Sequence, residues 1–308
     1  MSGSPQAGGS VVVVGSANAD LVVQVDRRPD AGETLIGSDL VIHPGGKGAN
    51  QAAAAARAGG SVRFVGNVGT DAYADVLRGS LVAAGVDIEH LAGVEGASGT
   101  AIIVITPDGE NSIVVSPGAN AQLDCDRVDA VRDIWADADV LVLQLEVPIA
   151  TVEWLALGAH GRVVLNAAPA QSLPARLIAA GDPLVVNRSE ATLLLGDDAR
   201  TEVPAIGAGL LELGARSVVI TLGSAGSVVV VPGAAPVAVP GFGVDAVDTT
   251  GAGDAFVGAT AARLAAGDDL LEAVRFATAM SALSVQRPGA QSSYPDRTQV
   301  LKLMSSAG

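Results

Sequence analysis

A doubly wound α/β fold, with a mostly parallel central sheet and helices on both faces, is the class predicted for this 308-residue chain. Three observations predict it. Short β-branched runs alternate with alanine- and leucine-rich stretches of helical length. The runs are apolar almost throughout, as in strands buried on both faces. Glycine-rich segments follow several of the runs, at the edge where right-handed crossovers place ligands.

In chain order, strands are predicted at residues 11–14, 62–65, 140–145, 163–165, 184–186 and 218–221. Helices are predicted at 48–58, 72–84, 123–136, 150–158, 190–195, 205–213 and 255–266, each rich in Ala or Leu. Two stretches break the rhythm. Residues 21–25 with 38–42, and 100–106 with 111–116, alternate apolar and polar side chains, and Pro107-Asp108-Gly109 supplies a hairpin turn between the second pair. They predict a small antiparallel β lid made of two separate segments, about 19–43 and 98–120, over a single α/β domain at 11–308. A fixed edge hairpin would carry the same pattern. Residues 1–10 are small and polar and are expected to be a disordered tail.

A net charge of −15 excludes nucleic acid and anionic membrane as partners, since both require a basic surface. No apolar run reaches the roughly 18 residues of a membrane span, so a soluble, cytoplasmic protein is expected. With Cys125 as the single cysteine, neither an internal disulfide nor a thiolate metal cluster can form. His43, His90 and His160 lack ligand spacing.

The most informative segment is Val247-Asp248-Thr249-Thr250-Gly251-Ala252-Gly253-Asp254, a glycine turn opening into a helix. Backbone N–H groups and the helix dipole make such a mouth a nest for an anion. A carboxylate on its rim makes sense if the anion is a phosphoryl group in transit and Asp254 removes a proton from the attacking alcohol. An ordinary helix start with an acidic first turn would read the same. Gly45-Gly46-Lys47-Gly48-Ala49-Asn50 is a second glycine turn before a helix, without P-loop spacing. Lys47 and Asn50 there suit a polyhydroxy ligand. Asn18 and Asp20, spaced i and i+2 after the first strand, could grip adjacent hydroxyls or simply make a turn.

Glu146 ends a strand at the expected ligand edge. Glu190, in Asn187-Arg188-Ser189-Glu190, could hold the water shell of a magnesium ion on nucleotide phosphates or cap its helix. Thr221-Leu222-Gly223-Ser224-Ala225-Gly226 offers backbone approach to a nucleotide. Esterase elbows, zincin and C-x-x-C motifs are absent, and Phe256 stands where a dinucleotide fingerprint needs its third glycine.

In order and spacing, the motifs at 15–20, 45–50, 187–190, 221–226, 246–254 and 287–293 closely resemble those of the ribokinase-like carbohydrate kinases, over about residues 11–294. The resemblance implies ATP-dependent phosphorylation of the 5-hydroxyl of D-ribose. It assigns Asp254 as general base and the backbone of Gly251, Ala252 and Gly253 as anion hole. Asn18, Asp20, Gly46, Lys47, Asn50 and Glu146 would hold the sugar. Asn187, Thr221, Gly223 and Gly226 would line the nucleotide site, with Glu190 serving Mg²⁺. A monovalent cation, K⁺ in most members, would lie among Asp248, Thr250, Ser284, Arg287, Gly289 and Ser293, mostly on carbonyl oxygens. A homodimer through the lids is implied as well, consistent with β-branched strands at 102–105 and 113–115 that need covering. Two positions depart from the pattern. Ala225 stands where a basic residue is frequent, and Asn166-Ala167-Ala168-Pro169 replaces Asn-Pro-Ala-Pro.

Residues 19–43 and 98–120 contain no aromatic side chain, which favours a plain sugar over a nucleoside whose base needs a stacking surface. A ketose or deoxyribose kinase is the alternative within the family. A non-catalytic sugar-binding regulator and a nicotinamide oxidoreductase are the alternatives outside it.

Overall fold

The computed structural model describes residues 9–108, 111–196 and 200–306. The first strand, β1 (Ser10–Val14), consists of four consecutive valines after Ser10, all fully buried. Val11 and Val13 face one core and Val12 and Val14 the other, as the two-residue period of a strand requires. Burying each contributes about 1.5–3 kcal/mol. The chain then leaves the sheet through β2 (Asn18–Gln24) and β3 (Val41–Gly45) and enters α1 (Lys47–Arg57). It returns in β4 (Ser61–Val68), crosses through α2 (Tyr73–Ala84) to the short β5 (Leu91–Gly93), and leaves again as β6 (Gly99–Ile105) and β7 (Asn111–Ser116).

The second half alternates helices and strands. It runs through α3 (Cys125–Asp129), α4 (Arg132–Trp135), β8 (Val140–Leu143), α5 (Ile149–Gly158), β9 (Arg162–Asn166), α6 (Ala175–Ala180), β10 (Leu184–Asn187), α7 (Arg188–Leu195), α8 (Val203–Glu212) and β11 (Val218–Thr221). After β12 (Gly226–Val230) and β13 (Val237–Pro240) come α9 (Ala252–Ala265), α10 (Leu270–Ser284) and α11 (Arg297–Ser306).

The nine-stranded sheet has the order β13-β12-β11-β10-β9-β8-β1-β4-β5. Every pairing from β5 to β11 is parallel, and β12 and β13 close one edge antiparallel. The strand order reverses at β1, which lies between β4 and β8. The loops after β1 and β8 therefore open on the crevice where ligands bind in such sheets. One face carries the helices that include α1, α9 and α10, the other those that include α5, α6 and α8.

The second sheet has the order β3-β2-β6-β7. Its two outer pairings are antiparallel, as the alternating segments predict, whereas β2 and β6 run parallel, Asn18 opposite Gly99 through Gln24 opposite Ile105. The two segments are separated by more than 70 residues of sequence and meet side by side, a relation no local pattern encodes.

Two expectations are corrected. The stretch 123–136 is two short helices. Val131 breaks the helical path, with φ −123° and ψ 32°, and buried Trp135 donates its indole N–H to the Val128 carbonyl at 2.7 Å. Of the expected tail, residues 1–8 lie outside the described residues. Gly9 and Ser10 are ordered: Gly9 N–H donates to Ala265 O, Ser10 N–H donates to the Asp139 carboxylate at 2.7 Å, and Ser10 already pairs with Ser61. Gly109 of the expected hairpin turn also lies outside the described residues.

Candidate active site

Asp254 sits in the first turn of α9 and is buried. Its carboxylate reaches across to α1, where Asn50 Nδ2 donates to one oxygen and Gln51 Nε2 to the other, both at 3.0 Å. What brings the two helices together is Gly258, one turn beyond Asp254. A Cβ there would lie 2.3 Å from the Gln51 carbonyl and 2.7 Å from the Ala54 side chain. Small residues on both helices permit a backbone approach that leucines would block, so two amides of α1 reach a carboxylate of α9.

The turn before α9 is equally constrained. Gly251 caps the helix in the left-handed region, φ +71°, and a Cβ on it would meet Ala290 Cβ and Tyr294 Oη at 2.6 Å. Tyr294 donates its hydroxyl to the Gly251 carbonyl at 3.1 Å, and Ser281 donates to the Ala252 carbonyl at 3.0 Å. Burial raises the Tyr294 hydroxyl's pKa well above its ordinary value, with the charges of Asp254 and Asp20 adding to the effect, so it stays a donor. Ala252, expected in the anion nest, spends its own N–H on the Thr249 carbonyl at 3.2 Å. The N–H groups of Gly251, Gly253 and Asp254 take no partner among the described residues. Of the three amides expected to form a nest, those of Gly251 and Gly253 are thus unpartnered among the described residues and that of Ala252 is not, while the Asp254 N–H is unpartnered beside them. Both glycines and Asp254 line a cavity of about 170 Å³, with Lys47, Asn166, Asn187, Glu190 and Thr221 around it.

Lys47 is the first residue of α1, so the same helix presents both its ammonium and the amides that hold Asp254. Burial pulls Lys47 down, but the carboxylates of Asp254, Glu146 and Glu190 outweigh it and hold its pKa above the ordinary value. Glu146 anchors the α1 N-terminus: one oxygen accepts from Ser16 Oγ at 2.6 Å and from the Lys47 N–H at 2.9 Å. Asp20, on β2, is pushed up to about 7 by burial, then by Glu146 and Asp254.

Asn18 is buried at the root of β2. Asn120 donates from Nδ2 to Asn18 Oδ1 at 2.7 Å and accepts the Ala17 N–H at 3.0 Å, so Asn18 presents its amide N–H₂ as the free end. Gly46, with φ +86°, caps α1 beside it, and a Cβ there would lie 2.7 Å from the Asn18 nitrogen.

At the next strand ends, Asn187 and Glu190 form a reciprocal capping box on α7, each side chain accepting the other's backbone N–H at 2.8 Å. Burial raises the Glu190 pKa, and its second oxygen takes no protein partner among the described residues. Thr221 Oγ1 reaches the Val186 carbonyl at 3.4 Å, and Gly223 stands in the exposed turn beyond β11. Gly226 is buried, with φ +95° against the Val239 carbonyl.

Asp248 accepts the Thr250 N–H at 2.9 Å and the Gly289 N–H at 2.7 Å, and so ties the turn before α9 to the segment after α10. Burial acts to raise its pKa, but these hydrogen bonds prevail and lower it. The carbonyls of Thr250, Arg287, Gly289 and Ser293 accept no hydrogen bond among the described residues, and Ser284 O takes one at 3.4 Å. The Ser284 and Ser293 hydroxyls donate to the Ser281 and Ala290 carbonyls at 2.8 Å.

Gln51, Asn120, Gln291, Ser16 and Tyr294 were not foreseen from sequence. Gln51 follows the predicted Asn50 and Tyr294 the predicted Ser293, but neither the alanine run after Gln51 nor the segment around Tyr294 shows what those side chains touch. The three histidines stay apart from the cavity, and no cluster of metal-binding side chains occurs among the described residues.

Residues 9–297 match the family model "pfkB family carbohydrate kinase". The chain is 40% identical to the ribokinase of Bacillus subtilis over 301 residues, covering 96% of this chain and 99% of that protein. The structure of Thermotoga maritima ribokinase superposes with a TM-score of 0.91 at 37% identity, covering 96% of this chain and 99% of the other. Arabidopsis thaliana ribokinase complexed with ribose and ATP superposes with a TM-score of 0.87 at 34% identity over 97% and 99% of the two chains. A family model spanning nearly the whole sequence, full-length relatives and a shared fold lead to one conclusion: the chain belongs to the pfkB family of carbohydrate kinases.

Proposed function

We propose that this protein transfers the γ-phosphoryl group of ATP to the 5-hydroxyl of D-ribose, giving ribose 5-phosphate and ADP. The observation that carries the reading is the buried Asp254 carboxylate, held by Asn50 and Gln51 beside unpartnered helix-mouth amides on a cavity shared with Lys47 and Glu190. Full-length similarity to ribokinases, one of them in complex with ribose and ATP, supports the choice of sugar and nucleotide.

Asp254 accepts the proton as the sugar 5-oxygen attacks the γ-phosphorus. The bond to the β–γ bridging oxygen breaks and ADP leaves with that electron pair. The Gly251, Gly253 and Asp254 amides face the charge that grows on the equatorial oxygens, and Lys47 adds a full positive charge. Asn18, Asp20, Gly46, Lys47, Asn50 and Glu146 orient the sugar. Asn18 does so as a donor, because Asn120 occupies its oxygen. Asn187, Thr221, Gly223 and Gly226 line the nucleotide side.

The free Glu190 oxygen fits Mg²⁺ held through water, and Mg²⁺ supplies neutralisation of phosphate charge. The unpartnered carbonyls of Thr250, Arg287, Gly289 and Ser293, with Ser284 and the Asp248 carboxylate, fit K⁺. The unit carrying this chemistry is one α/β domain, 11–308, with the lid at 19–43 and 98–120. The lid leaves Ile102, Ile113, Val114 and Val115 about half exposed, which supports a homodimer through the lids. A monomeric mass by light scattering at micromolar concentration contradicts that pairing. Among the described residues no helix is long and apolar enough to cross a membrane, which agrees with a cytoplasmic enzyme.

The test is ATP consumption on ribose, deoxyribose and a ketose, with and without K⁺, for the native protein and Asp254→Asn. Ribose is expected to be turned over fastest. Asp254→Asn is expected to lose turnover while still binding sugar, and near-normal turnover by that variant removes Asp254 from its role.

A further inference from the structure

We infer that Gln51 is a positioning residue for the reaction: its amide fixes the Asp254 carboxylate in the orientation needed to take the alcohol proton. The inference rests on the phosphoryl-transfer reading above.

Gln51 is completely buried on the α1 face toward α9. Its Nε2 donates to Asp254 Oδ1 and to Asn166 Oδ1, both at 3.0 Å. An amide nitrogen has two protons, so both are committed. Asn166 cannot reverse this arrangement, because its own Nδ2 donates to the Val185 carbonyl at 3.2 Å and so turns its oxygen toward Gln51. Gln51 Oε1 is buried and takes no hydrogen bond among the described residues. Flipping the amide would satisfy nothing, since it would set that oxygen against two acceptors. Gln51 therefore donates twice, while its oxygen takes no protein partner among the described residues.

A core glutamine serving only to fill space would be expected to pair both ends or be replaced by an apolar residue. The arrangement has a use at Asp254. Asn50 holds the second carboxylate oxygen and is itself held, Gln291 Nε2 donating to Asn50 Oδ1 at 3.0 Å. An aspartate in the first turn of a helix can rotate about two side-chain bonds. One amide bond fixes one oxygen, and two bonds from one helix fix the plane. Asn50 is assigned to the sugar in the proposed function, and in that role it would exchange partners as the sugar binds and leaves. Gln51 is sealed behind it, and its geometry is set by the β9 and β10 strands through Asn166 and Val185. The base is thereby referenced to the central sheet.

The test replaces Gln51 with Met, which keeps the unbranched shape and removes both donors, and uses whichever sugar the native protein turns over fastest. The expected result is a fall in kcat of about 10- to 100-fold, the range for losing a hydrogen bond to a charged group. The sugar Kd by calorimetry and the KM for ATP are expected to stay within about twofold. Gln51→Asn, which keeps an amide but shortens its reach, gives the same split and serves if the Met variant does not fold. A native-like kcat in a folded variant overturns the inference, as does a sugar Kd that rises in step with the loss of kcat. Failure of the native protein on ribose alone contradicts the substrate assignment and leaves the Gln51 comparison to be made on the sugar that is turned over.

Discussion

Gly251 and Gly253 occupy the same turn and call for opposite stability effects from the same substitution. At Gly251 an alanine must adopt φ +71°, which costs about 1–2 kcal/mol for an L-residue. Its Cβ also meets Ala290 Cβ and Tyr294 Oη at 2.6 Å, an overpacking that costs about 1–3 kcal/mol more. The sum is about 2–5 kcal/mol. Unfolding entropy near 2.1 cal/mol/K per residue amounts to about 0.6 kcal/mol/K for a chain of this size, so Tm is expected to fall by roughly 3–8 °C. The nest amides move with the displaced turn, and loss of an aimed donor lowers kcat by about 10²–10³. At Gly253 a Cβ would meet nothing within 4 Å and would project where the residue lines the cavity. Alanine in a helical position is favoured over glycine by about 0.5–1 kcal/mol, so Tm is expected to rise slightly. The new methyl nevertheless displaces the phosphoryl group, and a misplacement near 1 Å lowers kcat by about 10². Differential scanning calorimetry and single-sugar kinetics on the two variants decide the matter. A Gly253→Ala protein that is both less stable and fully active, or a Gly251→Ala protein that is indifferent in both respects, refutes the account of the nest.

Further expectations concern the groups around the cavity. Asp20, with its pKa raised to about 7, binds a proton more tightly folded than unfolded, so its contribution to stability is full below about pH 4 and is lost as the pH rises through 7. Urea midpoints of Asp20→Asn should therefore exceed the native ones at pH 8 and approach them near pH 4; a gap independent of pH contradicts this. Asn120→Ala releases the Asn18 amide and leaves the Ala17 N–H buried without its acceptor, an expected loss of about 1–3 kcal/mol in stability. The sugar KM should rise in that variant while the KM for ATP stays constant, and steady-state kinetics in both substrates read it. Glu190→Gln preserves the α7 capping box, since glutamine serves at that position, so Tm should hold while the Mg²⁺ concentration for half-maximal rate rises. An unchanged Mg²⁺ requirement removes Glu190 from that role.

The parts of the fold legible in the sequence were those encoded locally. The valines of β1 and the apolar runs of β8 through β11 announce a parallel sheet because burial on both faces demands continuous apolar side chains. The glycine turns before α1 and α9 announce the helix mouths because few other residues tolerate them. What escaped was set by partners far along the chain. The parallel join of β2 and β6 is visible only once both segments fold. Helix α10 was not foreseen, nor was the break at Val131, which depends on Trp135 turning back to Val128. Asn120, Gln51 and Gln291 act on neighbours more than 100 residues away, with no periodicity or spacing to mark them. Asn187 and Glu190 show the opposite case: the capping reading holds, and it leaves one oxygen of Glu190 without a protein partner among the described residues, open to the ligand role proposed for it.

Asn18 and Asp20, proposed above to orient the sugar, stand on β2, the strand that with β6 forms the middle of the second sheet. Any swing of that sheet over the crevice must carry both side chains with it. An open posture thus dismantles part of the alcohol's cradle, and a seated sugar favours the posture that shuts water out. Under the proposed function, wasteful hydrolysis of the nucleotide would be restrained by the same strand that recognises the acceptor, with no separate sensor required.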